Sequence, residues 1–140
     1  MIRKTFFTLI CAVLLTACAG TSQPSTEITL EETDFAYGPA SITVPLGQPI
    51  TLTIKNNGKV EHDFVIQKIN VTDLIAESGG MSMEHQMGRE DYDLHVSTLA
   101  GNTSILKFTP MEAGAYEIFC TVEGHKEAGM IGKLIVAARE

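Results

Sequence analysis

The sequence predicts an all-β protein with the architecture of a Greek-key β-sandwich of seven to eight strands. Short β-rich runs alternate between apolar and polar positions, and glycine, proline or asparagine bounds most of them. This period of two, interrupted by turn residues, is typical of half-buried strands. No strand–helix–strand spacing is visible, which argues against a parallel sheet covered by helices. The length of 140 residues favours one domain.

The first element, residues 1–17, is interpreted as a signal peptide. Arg3 and Lys4 precede an apolar stretch at residues 6–15, which is shorter than the roughly 20 residues that a membrane-spanning helix needs. The segment Leu15-Thr16-Ala17-Cys18 resembles a bacterial lipobox, so we expect cleavage before Cys18 and lipidation of that cysteine. The alternative is an ordinary secretory signal that happens to contain a cysteine near its end.

Residues 18–26 are predicted to join the lipid to the domain. Residues 20–26 are rich in Ser, Thr, Gly and Pro, a composition typical of a flexible tether. The protein is therefore expected to be lipid-anchored on the periplasmic side of a bacterial membrane. Ala19, which is not acidic, fits sorting to the outer membrane if the source is Gram-negative.

The folded domain is predicted over residues 27–140. Its clearest strand is residues 50–54, which alternate strictly between apolar and polar side chains and stop at Asn56-Asn57-Gly58. The other runs have the same character, and all are expected to pair antiparallel. The predicted strands cover residues 28–30, 41–44, 50–54, 62–69, 95–99, 103–109, 115–120 and 131–137.

Residues 70–93 break this pattern and are predicted to form an inserted loop outside the sheets. A short helix is possible at Val71–Glu77, and Ser78-Gly79-Gly80 follows it. A tract containing Met81, Met83, His85 and Met87 comes next. Thioethers favour Cu(I), so this tract is either a second, labile copper site or a loop whose methionines pack over the sandwich.

Composition and charge narrow the range of functions. The chain has ten Lys and Arg against 17 Asp and Glu, a formal net charge of −7, and no basic run after the first four residues. Binding to nucleic acid is therefore not expected, because that binding depends on clustered cations. After removal of Cys11 and lipidation of Cys18, Cys120 would be the one remaining thiol. It is either a buried, inert core residue or a metal ligand.

A thiol, an imidazole and a thioether follow one another at five-residue steps near the C-terminus. Cys120, His125 and Met130 lie on a loop between two predicted strands. This spacing, followed by Ile131-Gly132-Lys133-Leu134, resembles the copper loop of cupredoxins, the type 1 blue-copper proteins. The resemblance covers roughly residues 28–136, and it implies a second histidine from an upstream strand, matched by His62. It therefore implies one type 1 copper ion bound by His62, Cys120, His125 and Met130, a donor set suited to electron transfer.

Two positions depart from the common cupredoxin pattern. Glu123 stands where many members have proline, and Asp63 stands where Asn or Ser often hydrogen-bonds across to the copper loop. Our hypothesis is that these two carboxylates stabilise Cu(II) and lower the reduction potential. His95, in a predicted strand, is expected to be structural or solvent-facing.

The resemblance implies a membrane-tethered carrier of single electrons rather than an enzyme. Its expected partners are redox proteins, and the protein itself is expected to be a monomer. The alternative is a periplasmic copper-binding protein or chaperone for copper homeostasis or oxidase assembly, which the Met/His tract favours. An enzyme with a catalytic copper would need further histidine clusters, and the chain has four histidines in all.

Overall fold

The computed structural model describes residues 24–79 and 92–138. Within these ranges the chain forms ten strands and no helix, and none of its segments could cross a membrane as a helix. The predicted signal peptide, Cys18 and the Met81–Met87 tract lie outside the described residues. The strands are β1 (Glu27–Thr33), β2 (Ala36–Gly38), β3 (Ser41–Pro45), β4 (Ile50–Asn56), β5 (His62–Ile66), β6 (Val71–Glu77), β7 (Leu94–Thr98), β8 (Thr103–Pro110), β9 (Gly114–Phe119) and β10 (Ile131–Ala137).

The strands form two five-stranded sheets, which confirms the predicted all-β sandwich. The first sheet has the order β2-β1-β4-β8-β6, and the second has the order β3-β10-β9-β5-β7. Two pairs, β1 with β4 and β3 with β10, are parallel, so the expectation of wholly antiparallel pairing is wrong. The chain crosses from the first sheet to the second at β3 and returns at β4. That excursion allows β4 to run alongside β1 in the same direction.

The apolar faces of the two sheets form one core. Along β4, Ile50, Leu52 and Ile54 are buried, while the threonines between them are only half-buried. On β10, Leu134 and Val136 are buried in the same alternating manner. The strict alternation in the sequence therefore reports correctly which face of each strand points inward.

The short helix predicted at Val71–Glu77 is wrong, because these residues form strand β6. The strand lies at the edge of the first sheet and pairs antiparallel with β8. The register of this pairing shifts between Thr72 and Ile75. A seven-residue helix has little stability of its own, whereas β8 offers a row of backbone hydrogen-bond partners. Strands β6 and β2 raise the total from the predicted seven or eight to ten.

The second sheet brings the sequence-predicted metal ligands to one end of the sandwich. Strand β9 lies between β10 and β5. It ends at Phe119, immediately before Cys120, and β10 begins at Ile131, immediately after Met130. Because β5 runs antiparallel to β9, its first residue, His62, lies at the same end of the sheet. The fold thus places His62 beside the loop formed by residues 120–130.

Candidate metal centre

Three of the four predicted ligands converge in the structure. One donor atom each from His62, Cys120 and His125 lies within 4.8 Å of the other two, and all three residues are buried. The Nδ1 atoms of the two histidines are 3.2 Å apart. The Cys120 Sγ is 3.5 Å from Nδ1 of His125. These residues are separated by up to 63 positions in the sequence, so the convergence is a property of the fold.

These donors fit a first-row metal ion. Nitrogen and sulfur ligands that bind such an ion at about 2.0–2.3 Å lie roughly 3.3–3.8 Å from one another in tetrahedral or trigonal arrangements. The 3.2 Å between the two Nδ1 atoms and the 3.5 Å between Sγ of Cys120 and Nδ1 of His125 fall in or close to this range. Thiolate and imidazole are also the ligand types that copper prefers in proteins. The residues present therefore fit the copper ion that the sequence resemblance implies.

Burial sets the protonation of two of the donors. Desolvation lowers the pKa of His62, and the neighbouring His125 lowers it further, so the imidazole remains neutral and able to bind a cation. Burial also raises the pKa of the Cys120 thiol, with a further rise from the nearby carboxyls of Asp63 and Glu32, although two backbone N–H groups oppose the rise. A bound cation would favour the thiolate and displace its proton.

The 120–130 loop is closed by its own backbone. The N–H of Met130 donates to the carbonyl of His125 at 3.0 Å, and the N–H of Cys120 donates to the carbonyl of Met130 at 3.4 Å. Two tight bends need glycine, since Gly124 has φ of +80° and Gly129 has φ of +103°. These bonds tie the three loop residues of the predicted ligand set to one another.

Met130 is completely buried at the end of this loop. Its backbone contacts with both Cys120 and His125 place it next to the three converging donors. A buried methionine at that position is compatible with a weak thioether ligand or with simple core packing. Its role as the fourth ligand therefore stays a prediction.

Asp63 connects β5 to the 120–130 loop. Its carboxylate accepts hydrogen bonds from the hydroxyls of Ser97, at 2.5 Å, and Thr121, and it lies 3.6 Å from Nε2 of His95. Burial alone would raise its pKa, but these three partners outweigh burial and lower it to about 2. Asp63 is therefore ionised, and its backbone N–H also donates to Sγ of Cys120 at 3.4 Å.

The two carboxylates that the sequence singled out differ in environment. Asp63 is buried near the sulfur of Cys120, whereas Glu123 is exposed. Electrostatic interactions weaken strongly when water surrounds one partner. Of the two carboxylates, Asp63 is therefore the one in a position to affect a bound ion. His95, expected to be structural or solvent-facing, is half-buried and supports Asp63.

Four further residues around the site were not identified from the sequence. Tyr37 donates its hydroxyl to the backbone carbonyl of Asp63 at 2.6 Å. Glu32 is fully buried, and its two carboxyl oxygens have no hydrogen-bond partner among the residues that the structure describes. Asp34 and Phe35 form the two-residue turn between β1 and β2 and approach the two histidines. No local sequence pattern marks these four, because strand pairing and sheet packing bring them to the site.

The chain is similar to known copper proteins. A family profile for a cupredoxin-like domain matches residues 5–136. The copper-resistant cuproprotein CopI of Rubrivivax gelatinosus is 31% identical over 119 residues, which cover 84% of this chain and 69% of that protein. Auracyanin-A of Chloroflexus aurantiacus is 31% identical over 126 residues, which cover 84% of this chain and 77% of that protein.

A solved structure is similar over most of its length. The dithionite-reduced auracyanin of the photosynthetic bacterium Roseiflexus castenholzii superposes with a TM-score of 0.62 and 25% identity. The match covers 82% of this chain and 99% of that one. The β-sandwich, the position of the 120–130 loop and the converging donors are thus found in a chain that is similar to copper proteins in both sequence and fold.

Proposed function

This chain belongs to the cupredoxin-like family, and we propose that it carries single electrons between redox proteins through one copper ion bound by His62, Cys120, His125 and Met130. The family membership confirms the resemblance predicted from the sequence. Copper as the cofactor is also confirmed, by the family and by the group of His, Cys and His donors. The assignment of each ligand, and electron transfer itself, are parts of the proposal.

The observation that carries this proposal is the buried and closely spaced set of donors. His62, Cys120 and His125 have relative exposures of 0%, 1% and 8%. A copper ion bound there would supply one-electron exchange between Cu(I) and Cu(II). The protein groups would hold their positions during this exchange, since the 120–130 loop is closed by backbone hydrogen bonds and Asp63 fixes it to β5. A site that needs little rearrangement suits rapid electron transfer.

The location and the partners of the protein are part of the same proposal. A lipid on Cys18 would hold the domain at the periplasmic side of a bacterial membrane, where respiratory or photosynthetic redox proteins operate. Weak docking allows rapid turnover, and the formal charge of −7 favours a partner with a basic docking surface. We propose a monomeric carrier without enzymatic activity of its own. Among the residues that the structure describes, the donors of His62, Cys120 and His125 form the one group of three or more His, Cys, Asp or Glu side chains that could hold a metal ion.

Copper homeostasis is a second candidate function, because two of the relatives are copper-resistant cuproproteins. A protein that delivers copper must release the ion readily to an acceptor. The burial of His62, Cys120 and His125 favours retention instead, while the Met81–Met87 tract would favour exchange. Incubation of the Cu(I)-loaded protein with a metal-free acceptor separates the two candidates. Retention through repeated redox cycles supports the carrier, and rapid transfer supports copper handling.

Visible absorption of the copper-loaded protein tests the main proposal. The soluble form beginning at Gly20 is expected to show an intense thiolate-to-copper band with Cu(II), which ascorbate bleaches and reoxidation restores. Cys120→Ser is expected to abolish this band because a hydroxyl does not replace the thiolate. Met111→Leu, at an exposed methionine away from the converging donors, is the control and is expected to keep the band.

Two other results would contradict the electron-carrier proposal. A colourless protein that still binds Cu(I) would indicate copper handling. A protein that binds no copper would contradict both copper functions and leave only the fold assignment standing.

A further inference from the structure

The ring of His62 has one nitrogen that the copper site does not use. Its Nδ1 faces His125, and its Nε2 is buried on the opposite edge without a hydrogen-bond partner among the described residues. The Oδ1 atom of Asp34 lies 3.5 Å from this Nε2, slightly beyond an ordinary hydrogen bond. A buried nitrogen without a hydrogen-bond partner makes the folded protein less stable. The Nε2 of His62 has no such partner among the described residues, although an acceptor oxygen of Asp34 lies only 3.5 Å away.

Asp34 is held in place from a second direction. The backbone N–H of Lys59 donates to the same Oδ1 atom at 3.0 Å. Asp34 belongs to the turn between β1 and β2, and Lys59 belongs to the segment that leads into β5. The carboxylate therefore connects these two segments beside His62, and its oxygen is already oriented toward the ring.

Gly58 keeps the space between the two groups open. A Cβ atom at this position would lie 2.6 Å from Nε2 of His62 and 2.7 Å from Oδ1 of Asp34. Any side chain here would therefore push the imidazole and the carboxylate apart. The N–H of Gly58 donates to Oδ1 of Asn56 at 2.8 Å, which fixes the backbone at this point.

The same turn also reaches the second histidine. Phe35 has φ of +68°, a conformation that is uncommon for a bulky residue. Its ring meets the ring of His125 edge-on, with centroids 5.2 Å apart and planes at 82°. The two residues of this turn thus contact the two histidines that the 120–130 loop and β5 bring together.

We propose that Asp34 is a positioning residue of the copper site, whose carboxylate accepts the Nε2–H of His62 in the copper-loaded protein. The inference rests on the proposed function, because it concerns the same copper ion. Metal-binding histidines commonly donate their second ring N–H to a carboxylate or a carbonyl, which fixes the tautomer and orients the ring. An anionic acceptor also increases the basicity of the ligand nitrogen. Asp34 therefore stabilises the bound Cu(II) state more than the Cu(I) state.

Replacing Asp34 tests this role. Asp34→Ala is expected to weaken Cu(II) binding 10–100-fold, the usual effect of losing such an acceptor. If Cu(I) binding is unchanged, the reduction potential rises by about 59 mV for each tenfold loss. Asp34→Asn keeps an acceptor oxygen without the charge, so it is expected to recover part of the Cu(II) affinity. Glu27→Ala removes one exposed carboxylate at the start of β1, the strand that leads into the Asp34 turn, and is the matched control.

Nuclear magnetic resonance of the Cu(I) protein provides a readout that does not depend on redox activity. The Nε2–H signal of His62 is expected to be visible and slow to exchange in the wild type and in Glu27→Ala. In Asp34→Ala it is expected to exchange at least tenfold faster, because its acceptor is gone. Circular dichroism verifies that each variant is folded.

The outcomes separate this inference from the proposed function. A wild-type protein without the thiolate-to-copper band overturns both. If the band is present but Asp34→Ala matches Glu27→Ala in potential, Cu(II) affinity and Nε2–H exchange, the inference on Asp34 is overturned and the copper site stands. Partial recovery in Asp34→Asn supports the inference, since a merely structural role would not follow the hydrogen-bonding capacity and charge of the side chain.

Discussion

Glu32 is a residue whose ionisation the fold alters strongly. Burial raises the pKa of its carboxyl from 4.5 to about 8, and the charge of Asp63 adds to the rise. The hydroxyl of Thr98, which donates to Ser104 at 2.8 Å, opposes this rise in the pKa of Glu32. The folded protein therefore keeps Glu32 neutral at pH values where the unfolded chain ionises it. Because the Glu32 carboxyl is neutral, Asp63 is the one of these two buried carboxyls that carries a negative charge near the site.

Glu32 is predicted to make the metal-free protein less stable as pH rises. Its contribution to stability is complete below pH 4.5 and declines until the pH passes the folded pKa of about 8, with a total loss of up to roughly 5 kcal/mol. Asp63 does not interfere, because its lowered pKa of about 2 affects stability only in acid. Urea unfolding from pH 5 to pH 9 should show a larger decline in the wild type than in Glu32→Gln, in which the shifted pKa values of His62 and Cys120 remain.

Glu31→Gln is the control for this measurement, since the neighbouring Glu31 is exposed. It should keep the decline of the wild type. An equal decline in Glu32→Gln would mean that another group titrates in the folded state.

Met130 tests whether the site has the predicted fourth ligand. Leucine is similar in size, so Met130→Leu should cost less than about 1.5 kcal/mol of stability and leave the other donors in place. Loss of the thioether removes a weak donor to the copper ion, so the reduction potential should rise and the absorption band should shift. Met111→Leu, at an exposed methionine, is the control and should change neither property. Identical potentials for the two variants would show that Met130 only packs the core.

At the scale of elements, the 120–130 loop depends on glycine at its bends. Gly129 has φ of +103°, which lies outside the left-handed region that other residues tolerate. Gly129→Ala is expected to lower the free energy of unfolding by about 1–3 kcal/mol and to disturb the position of Met130. Thermal unfolding and the copper absorption band of the loaded protein measure the two effects.

Gly47→Ala is the matched control for this element. Gly47 also has a positive φ, of +67°, and a Cβ would have open space at either glycine. Its replacement is expected to lower stability by about 1–2 kcal/mol without any change in the copper band. A Gly129→Ala protein with the wild-type band would show that the loop tolerates a different backbone path.

The other elements differ in how well local sequence predicts them. The strands with strict alternation, such as β4 and β10, lie close to their predicted positions because each one buries a single face. Local sequence does not distinguish strand β6 from a short helix, because Leu74 and Ile75 are exposed and the strand has no clear inward face. Its conformation depends on hydrogen bonds to β8, which lies some thirty residues further along the chain.

At the scale of the whole molecule, the lipid on Cys18 stays a prediction. Expressed with residues 1–26 in place in a Gram-negative host, the wild type is expected to fractionate with membranes, to require detergent for release and to incorporate labelled palmitate. Cys18→Ser is expected to lose the label, because the residue that would carry the lipid is gone. An unlabelled wild-type protein that is secreted as freely as Cys18→Ser would instead support an ordinary secretory signal.

The sequence by itself determined the fold class, the family and the candidate ligands Cys120, His125 and Met130, and the family resemblance then pointed to His62. These features depend on short-range patterns: a period of two along each strand, and the five-residue steps between Cys120, His125 and Met130. Such patterns are visible without knowledge of which strands become neighbours. Copper could be predicted because this loop resembles the copper loop of cupredoxins and because its thiol, imidazole and thioether suit that ion.

Only the tertiary structure decided which groups surround those donors. Asp34 lies 28 residues before His62, and Glu32 lies 88 residues before Cys120, so no local pattern connects either pair. Their proximity follows from the register of β1 beside β4 and from the packing of one sheet on the other. Burial then shifts the pKa of Glu32, and the turn between β1 and β2 sets the distance from Asp34 to His62. Strand register and desolvation arise only when the whole chain has folded.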